Sequence, residues 1–182
     1  MSEIAERYAR IADAFTARLE DCPSESWGNP SPCEEWTAHD VAKHVVATHR
    51  TVLARLTGTD SIPPASEEDL LKSWRIESEA VRVALVDPEK ASVVVKGMLG
   101  DHSFEQLVSR LLCADTLVHT WDLARATGQD ERLDPAGMAV AQEFLEPLDE
   151  AIRRPGGFGP KLEPPEGADA QTQFLCFVGR RP

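Results

Sequence analysis

Apolar residues recur every three or four positions along most of this chain, a spacing that is typical of amphipathic helices. Four long helices are predicted from this pattern and from the Gly- and Pro-rich stretches that interrupt it. Their predicted extents are residues 2–19, 37–56, from 66 towards 88, and 103–128. These four segments are enough to form a helical bundle.

The second and fourth helices have the clearest predicted starts. Thr37 and Ser103 are each followed, three residues later, by a side chain that can complete a capping box, Asp40 and Gln106 respectively. Gly128 suits the end of the fourth helix, because glycine accepts the left-handed conformation in which many helices end. Both helices carry the polar residues on which a functional prediction depends.

The remaining sequence predicts one more helix and two irregular stretches. A fifth helix is predicted over residues 134–152, and Pro147 is expected to kink or shorten it. Residues 91–102 are rich in β-branched side chains, but no second strand is evident, so an extended connection is predicted instead of a sheet. The Gly- and Pro-rich tail, 153–182, ends in an apolar segment expected to dock on the bundle. We predict a single all-α domain over residues 1–182.

Composition narrows the possible partners. The 19 basic and 31 acidic residues give a formal charge of -12. Nucleic acids and anionic membranes bind clustered Lys and Arg, so neither is expected as a partner. No apolar run approaches the roughly 20 residues that a membrane span requires, and the N-terminal segment lacks the pattern of a signal peptide. The four cysteines form no CxxC pair and are interpreted as reduced thiols. We therefore expect a cytoplasmic protein with a small-molecule substrate.

Three polar residues of the fourth helix, Asp115, His119 and Asp122, lie on or beside its apolar stripe. A turn of about 100° per residue puts both aspartates on the stripe and His119 about 60° to one side. A buried carboxylate must be paired, protonated or bound to a cation. Asp115 and His119 are one turn apart, so they can reach a single ion, or form a hydrogen-bonded core pair instead. Asp122 can pair with Arg125 or cap a neighbouring helix.

A metal site would need a further ligand from another helix. The second helix offers His39, His44 and His49. A spacing of five residues turns each of them about 140° from the next, so one at most can be a ligand. His39 is expected near solvent in the first turn. His44 and His49 flank the apolar stripe on opposite sides, and geometry leaves both possible.

The chain resembles the actinobacterial DinB-like metal-binding proteins related to the N-terminal domain of mycothiol-dependent maleylpyruvate isomerase. The resemblance lies in PCEEWTAHDVAKHVV, in DTLVHTWDLARATG, and in the tail FGPKLEPPEGADAQTQFLCFVGRRP. It implies a DinB-like up-down four-helix bundle with an additional C-terminal helix, usually dimeric. It also implies that His44, Asp115 and His119 bind a divalent metal. Asp122, the next acidic residue along the helix, is expected to orient His119 or to act as a catalytic base.

Two features depart from the resembling isomerase. That enzyme has glutamate at the place of Asp115, where the shorter side chain would reshape the site. It also has a C-terminal α/β domain, which this chain is too short to contain. Maleylpyruvate isomerisation itself is therefore not expected.

The predicted function is that of a metal-dependent enzyme. Zinc is the expected ion, with nickel or iron as alternatives, since two histidines and a carboxylate suit all three. The ion would activate water, or a thiol such as mycothiol, for transfer, isomerisation or detoxification of a small molecule. The alternatives are a non-catalytic metal- or ligand-binding protein with a stress or sensor role, and a helical dimer that has lost its metal.

Overall fold

The computed structural model describes residues 2–65, 69–97, 100–153 and 157–182. Within these ranges the α-helices are α1 Glu3–Glu20, α2 Ala38–Thr57, α3 Leu70–Val86, α4 Pro88–Ala91, α5 Phe104–Leu107, α6 Cys113–Thr127, α7 Pro135–Leu145, α8 Asp149–Ile152 and α9 Ala170–Phe177. Two short strands, β1 Val94–Gly97 and β2 Gly100–Ser103, lie between α4 and α5. The all-α prediction is confirmed.

Four helices surround the core. α1 packs mainly on α3 and α6, and α2 packs mainly on the same two helices, so that α1 and α2 lie across the bundle from each other. Fully buried aromatic side chains fill the centre, and the rings of Phe15 and Trp74 meet edge to face at 4.8 Å. Burying each such side chain contributes about 1.5–3 kcal/mol. The direct packing of α2 on α6 brings the histidines of one helix to the carboxylates of the other.

The predicted capping boxes are confirmed. Thr37 N–H donates to the Asp40 carboxylate at 2.9 Å, and the Asp40 N–H donates back to the Thr37 hydroxyl at 3.3 Å. Ser103 and Gln106 make the equivalent pair. Gly128 ends α6 with φ of 71°, a left-handed conformation that glycine adopts without strain. These caps set where α2 and α5 begin and where α6 ends.

The predicted fourth helix changes its hydrogen bonding part-way along. Between α5 and α6, Val108–Leu112 forms a π-helical segment. Such segments are rare and disturb the regular angular spacing of side chains. The helix is therefore continuous as predicted, but residues before and after the π segment do not share one ideal 100° phase.

The prediction of an unpaired extended connection at residues 91–102 is wrong. β1 and β2 form an antiparallel hairpin with Val95 opposite His102 and Lys96 opposite Asp101. The second strand, Gly100–Ser103, has no β-branched side chain, so its sequence carries no strand pattern. Val95 is buried under the hairpin and only 3% exposed. Pairing with β1, together with the burial of Val95, stabilises β2 although its own residues have low strand propensity.

Two further helix boundaries can be compared with the sequence predictions. The predicted cap at Ser66 lies outside the described residues, and α3 begins at Leu70 with the side chain of Asp69 accepting from the Lys72 N–H. The expected interruption at Pro147 is confirmed, since α7 ends at Leu145 and is followed by a 3₁₀ turn.

The C-terminal tail packs on the bundle through contacts between α9 and α7. Its apolar segment forms α9, with Phe174, Leu175 and Phe177 buried. The Arg153 guanidinium donates to the Phe177 carbonyl at 2.7 Å and joins the two ends of the tail. Beyond α9 the chain reaches Arg180, which is only 8% exposed. None of the helices in the described ranges combines the length and apolar character needed to cross a bilayer.

Candidate metal centre

His44 of α2 meets Asp115 and His119 of α6 at one point. His44 Nε2 lies 3.1 Å from Asp115 Oδ1, and His119 Nε2 lies 3.6 Å from the same oxygen. The potential ligand atoms of the three residues all lie within 4.8 Å of one another. The exposed fraction of the side chain falls from 34% for His44 to 16% for Asp115 and 9% for His119. The group is thus buried on the α6 side and open on the α2 side.

The carboxylate of Asp115 fits the role of a metal ligand. Its Oδ2 atom is buried and has no hydrogen-bond partner within the described residues, an arrangement that costs free energy unless another group satisfies the oxygen. Burial by itself raises the pKa of Asp115, but the neighbouring charge of His119 and the hydrogen bond from His44 bring it below the ordinary value. An ionised carboxylate between two imidazoles suits zinc, nickel or iron.

Trp36 lies at the edge of the open side of this group. Its ring lies 4.9 Å from the ring of His44 and stacks on that of His119 at 5.9 Å. A shallow cavity of about 360 Å³, wide open to solvent, begins here and is lined by Trp36, His44 and Lys43 together with Pro63 and Pro64. A small molecule in this cavity would therefore touch His44, the most exposed of the three candidate ligands.

The far side of His119 is held by Asp122. His119 Nδ1 lies 2.9 Å from Asp122 Oδ2, and Arg180 donates to both oxygens of that carboxylate, at 3.0 and 2.8 Å. Burial raises the pKa of Asp122, but the hydrogen bonds from His119 and Arg180 hold it well below its ordinary value. Because an ionised carboxylate only accepts hydrogen bonds, His119 Nδ1 carries the proton. Nε2 is then the nitrogen that faces Asp115, 3.6 Å from its Oδ1, and the one available to a metal ion.

The pairing of Asp122 with Arg125 considered for the sequence does not occur. Arg125 instead donates to Glu131 at 2.9 Å, near the protein surface. The partners of Asp122 are His119, Arg180 and Cys33, whose thiol donates to Asp122 Oδ2 at 3.2 Å. Cys33 lies in the loop between α1 and α2, and Arg180 lies in the C-terminal tail, so the sequence offered no local signal for either.

Cys33, His119 and Asp122 form a second group with potential ligand atoms within 4.8 Å of one another. The Arg180 guanidinium contacts two members of this group, at 3.2 Å from the Cys33 sulfur and 2.8 Å from Asp122 Oδ2, and would repel a cation there. Burial and the charge of Asp122 raise the pKa of Cys33 to about 12, whereas a metal ligand must be a thiolate. The group of His44, Asp115 and His119 is therefore the better candidate for a metal site.

His49, the other possible ligand from α2, lies elsewhere. It has no exposed surface, and its two ring nitrogens lie 2.9 Å from the Val45 carbonyl and 3.0 Å from the Tyr8 hydroxyl. His39 packs its ring against Trp27. Of the three histidines considered in α2, the structure thus brings only His44 to Asp115 and His119.

His49 also predicts how stability depends on pH. Burial lowers its pKa from 6.5 to about 4, so between these values the unfolded chain binds a proton that the folded chain does not. The free energy of unfolding therefore falls as the pH drops from 6.5 towards 4. Between pH 7 and pH 5, His49 should account for a loss of about 2 kcal/mol.

Urea unfolding of the wild type, His49→Gln and His39→Gln at both pH values measures this term. His39→Gln should lose as much stability as the wild type, and His49→Gln should lose less. An equal loss in all three proteins would show that His49 is not a buried neutral residue.

Residues 8–124 match the family described as the mycothiol maleylpyruvate isomerase N-terminal domain. The chain belongs to this family. Two uncharacterised proteins of Mycobacterium tuberculosis, from strains CDC 1551 and H37Rv, are each 31% identical to it over 178 residues. Each alignment covers 95% of this chain and 95% of the relative. No solved structure matches the chain significantly.

The region matched by the mycothiol maleylpyruvate isomerase N-terminal domain includes His44, Asp115, His119 and Asp122. It ends before the tail that supplies Arg180. The mycobacterial relatives, in contrast, align over nearly the whole chain, including most of that tail. The tail is thus part of what this chain shares with these relatives.

Proposed function

We propose that this protein binds one divalent metal ion through His44, Asp115 and His119 and activates a thiol or water for reaction with a small molecule. The observation that carries the proposal is the convergence of two imidazoles on a buried carboxylate with one unpartnered oxygen. Two histidines and one carboxylate are a ligand set of catalytic zinc sites. A bound zinc, nickel or iron ion would lower the pKa of a thiol or water and so supply a nucleophile near neutral pH.

The surrounding residues support a reaction at the open side of this group. The cavity beside Trp36 and His44 gives a small molecule access without displacing the core. Trp36 stacks on His119 and limits water around the ligands on that side. Lys43 lines the same cavity together with the acidic residues Glu35 and Asp40, so the cavity offers charges of both signs to a polar substrate.

Asp122 is proposed to orient His119. Its side chain has no exposed surface, and its oxygens already accept hydrogen bonds from Arg180, His119 and Cys33. A proton acceptor must be within hydrogen-bond reach of the group that loses the proton. Of the two roles considered for Asp122 in the sequence, orientation of His119 therefore agrees with these contacts and the role of a base does not.

Mycothiol is the thiol that the family description suggests. The proposed reaction is therefore thiol transfer, isomerisation or detoxification in the cytoplasm with mycothiol or a similar thiol as co-substrate. We also propose a homodimer. The outer side of α3 exposes Ile76, Val83 and Val86, which a second subunit could cover, among the charged side chains of Lys72 and Glu79.

A thiol-transfer assay tests the function. Protein purified without chelator should transfer mycothiol to a model electrophile, lose this activity after dialysis against chelator, and regain it when zinc is restored. His44→Ala should reduce the rate to that of the uncatalysed reaction, whereas His39→Ala, a change of the same kind on the same helix, should retain the wild-type rate.

The other outcomes reject different parts of the proposal. Stoichiometric zinc without turnover of any thiol would contradict the enzyme and favour a metal-binding stress or sensor protein. Absence of metal binding would contradict both.

A further inference from the structure

Arg180 completes the polar network behind the proposed metal site. Its Nε and Nη2 atoms donate to the two oxygens of Asp122 at 3.0 and 2.8 Å. Neither side chain is accessible, with exposed fractions of 8% for Arg180 and 0% for Asp122. Such a two-pronged contact fixes the plane of the carboxylate as well as its position. Arg180 is therefore a geometric constraint on Asp122.

The tail holds Arg180 in this position. The Nη1 atom donates to the Val178 carbonyl at 3.1 Å, and the guanidinium lies 6.0 Å from the ring of Phe158. Val178 has no exposed surface and follows α9 directly. The backbone N–H of Arg180 also donates to the Leu175 carbonyl at 2.8 Å. The position of Arg180 therefore depends on the packing of α9 against the bundle.

The constraint passes from Asp122 to His119. With its plane fixed by Arg180, the carboxylate presents Oδ2 to His119 Nδ1 at 2.9 Å. That contact keeps a proton on Nδ1, leaves Nε2 as the nitrogen that faces Asp115, and stops the ring from turning. A carboxylate free to rotate would fix neither the proton nor the ring.

We propose that Arg180 is a positioning residue, which acts through Asp122 on His119 and makes the metal site depend on the docked C-terminal segment. This inference rests on the proposed function for its consequence in metal binding. The effect on the His119 ring does not require a metal.

The test compares three variants. Arg180→Gln removes the charge and the two-pronged contact, and Arg180→Lys keeps the charge with a single donor group. Arg181→Gln is the matched control, because Arg181 is the next residue in the chain and its side chain is exposed. Two quantities are measured: zinc affinity by competition with a chelator, and the ¹⁵N chemical shifts of the His119 ring in the metal-free protein, which identify the protonated nitrogen.

Arg180→Gln should weaken zinc binding by up to about 10- to 100-fold, the range seen when a direct partner of a metal ligand is lost, because Arg180 acts on His119 through such a partner, Asp122. It should also move part of the His119 population to the form protonated on Nε2. Arg180→Lys should show smaller changes in the same direction, and Arg181→Gln should equal the wild type. A folded Arg180→Gln variant with wild-type affinity and ring shifts would overturn the proposal, because a purely structural role would alter only stability.

Two other outcomes remain decisive. If Arg180→Gln does not fold, Arg180→Lys decides, and wild-type zinc affinity and ring shifts in that variant would overturn the proposal. If the wild type binds no zinc, the proposed function fails, and the ring shifts alone decide the positioning role. Changed shifts would then support it, and unchanged shifts would overturn it.

Discussion

Replacing His119 with alanine is expected to weaken zinc binding by more than about 100-fold, beyond the loss seen for groups that only support a ligand. The change removes one of the two imidazoles and leaves Asp115 Oδ1 with His44 alone. Competition with a chromophoric chelator measures the affinity, and circular dichroism confirms that the variant is folded. His44→Ala should have a comparable effect.

His39→Ala is the control for this prediction. His39 also lies on α2, but its ring contacts Trp27 and not the proposed ligands. It should bind zinc as tightly as the wild type. If zinc affinity is the same in His119→Ala and His39→Ala, the ion is bound elsewhere.

Replacing Asp122 with asparagine is expected to lower the free energy of unfolding by about 3–5 kcal/mol, the cost of breaking a buried ion pair from one side. The guanidinium of Arg180 would stay buried at 8% exposure without its carboxylate. His119 Nδ1 would face an amide that can donate as well as accept, so its protonation would no longer be fixed. Urea unfolding at pH 7 measures the loss.

Asp130→Asn is the matched control. Asp130 also accepts from an arginine through both oxygens, at 3.0 and 2.8 Å from Arg132, but the exposed fractions of this pair are 47% and 87%. Exposed ion pairs contribute little to stability because water and salt screen them. Equal destabilisation by the two asparagine substitutions would contradict the account of the Asp122 network.

The parts of the fold that were predicted correctly depend on local interactions. Thr37 and Ser103 cap helices through residues three positions away, and Asp115 and His119 share a helix face through a spacing of four. Such relations can be inferred from a short stretch of sequence. The resemblance added His44, and the packing of α2 on α6 is consistent with it.

The parts that were missed depend on long-range contacts. Cys33 and Arg180 reach Asp122 across 89 and 58 residues of sequence, and no spacing rule connects them. The strand Gly100–Ser103 exists because β1 pairs with it, and its composition gives no sign of this. Likewise, nothing in the sequence of Val108–Leu112 distinguishes a π segment from an α-helix.

The two candidate metal-binding groups share His119, and only one of them contains a sulfur ligand. The group of His44, Asp115 and His119 has only nitrogen and oxygen ligands, whereas the group of Cys33, His119 and Asp122 includes sulfur. The proposed function requires the ion at the first group. Arg180, 3.2 Å from the Cys33 sulfur, opposes its binding at the second.

X-ray absorption at the zinc edge of the zinc-loaded protein distinguishes these positions most directly. An ion bound by His44, Asp115 and His119 should have nitrogen and oxygen neighbours at about 2.0–2.2 Å, with imidazole scattering and no sulfur. A zinc–sulfur distance of about 2.3 Å would place the ion at Cys33 and contradict a site formed by His44, Asp115 and His119.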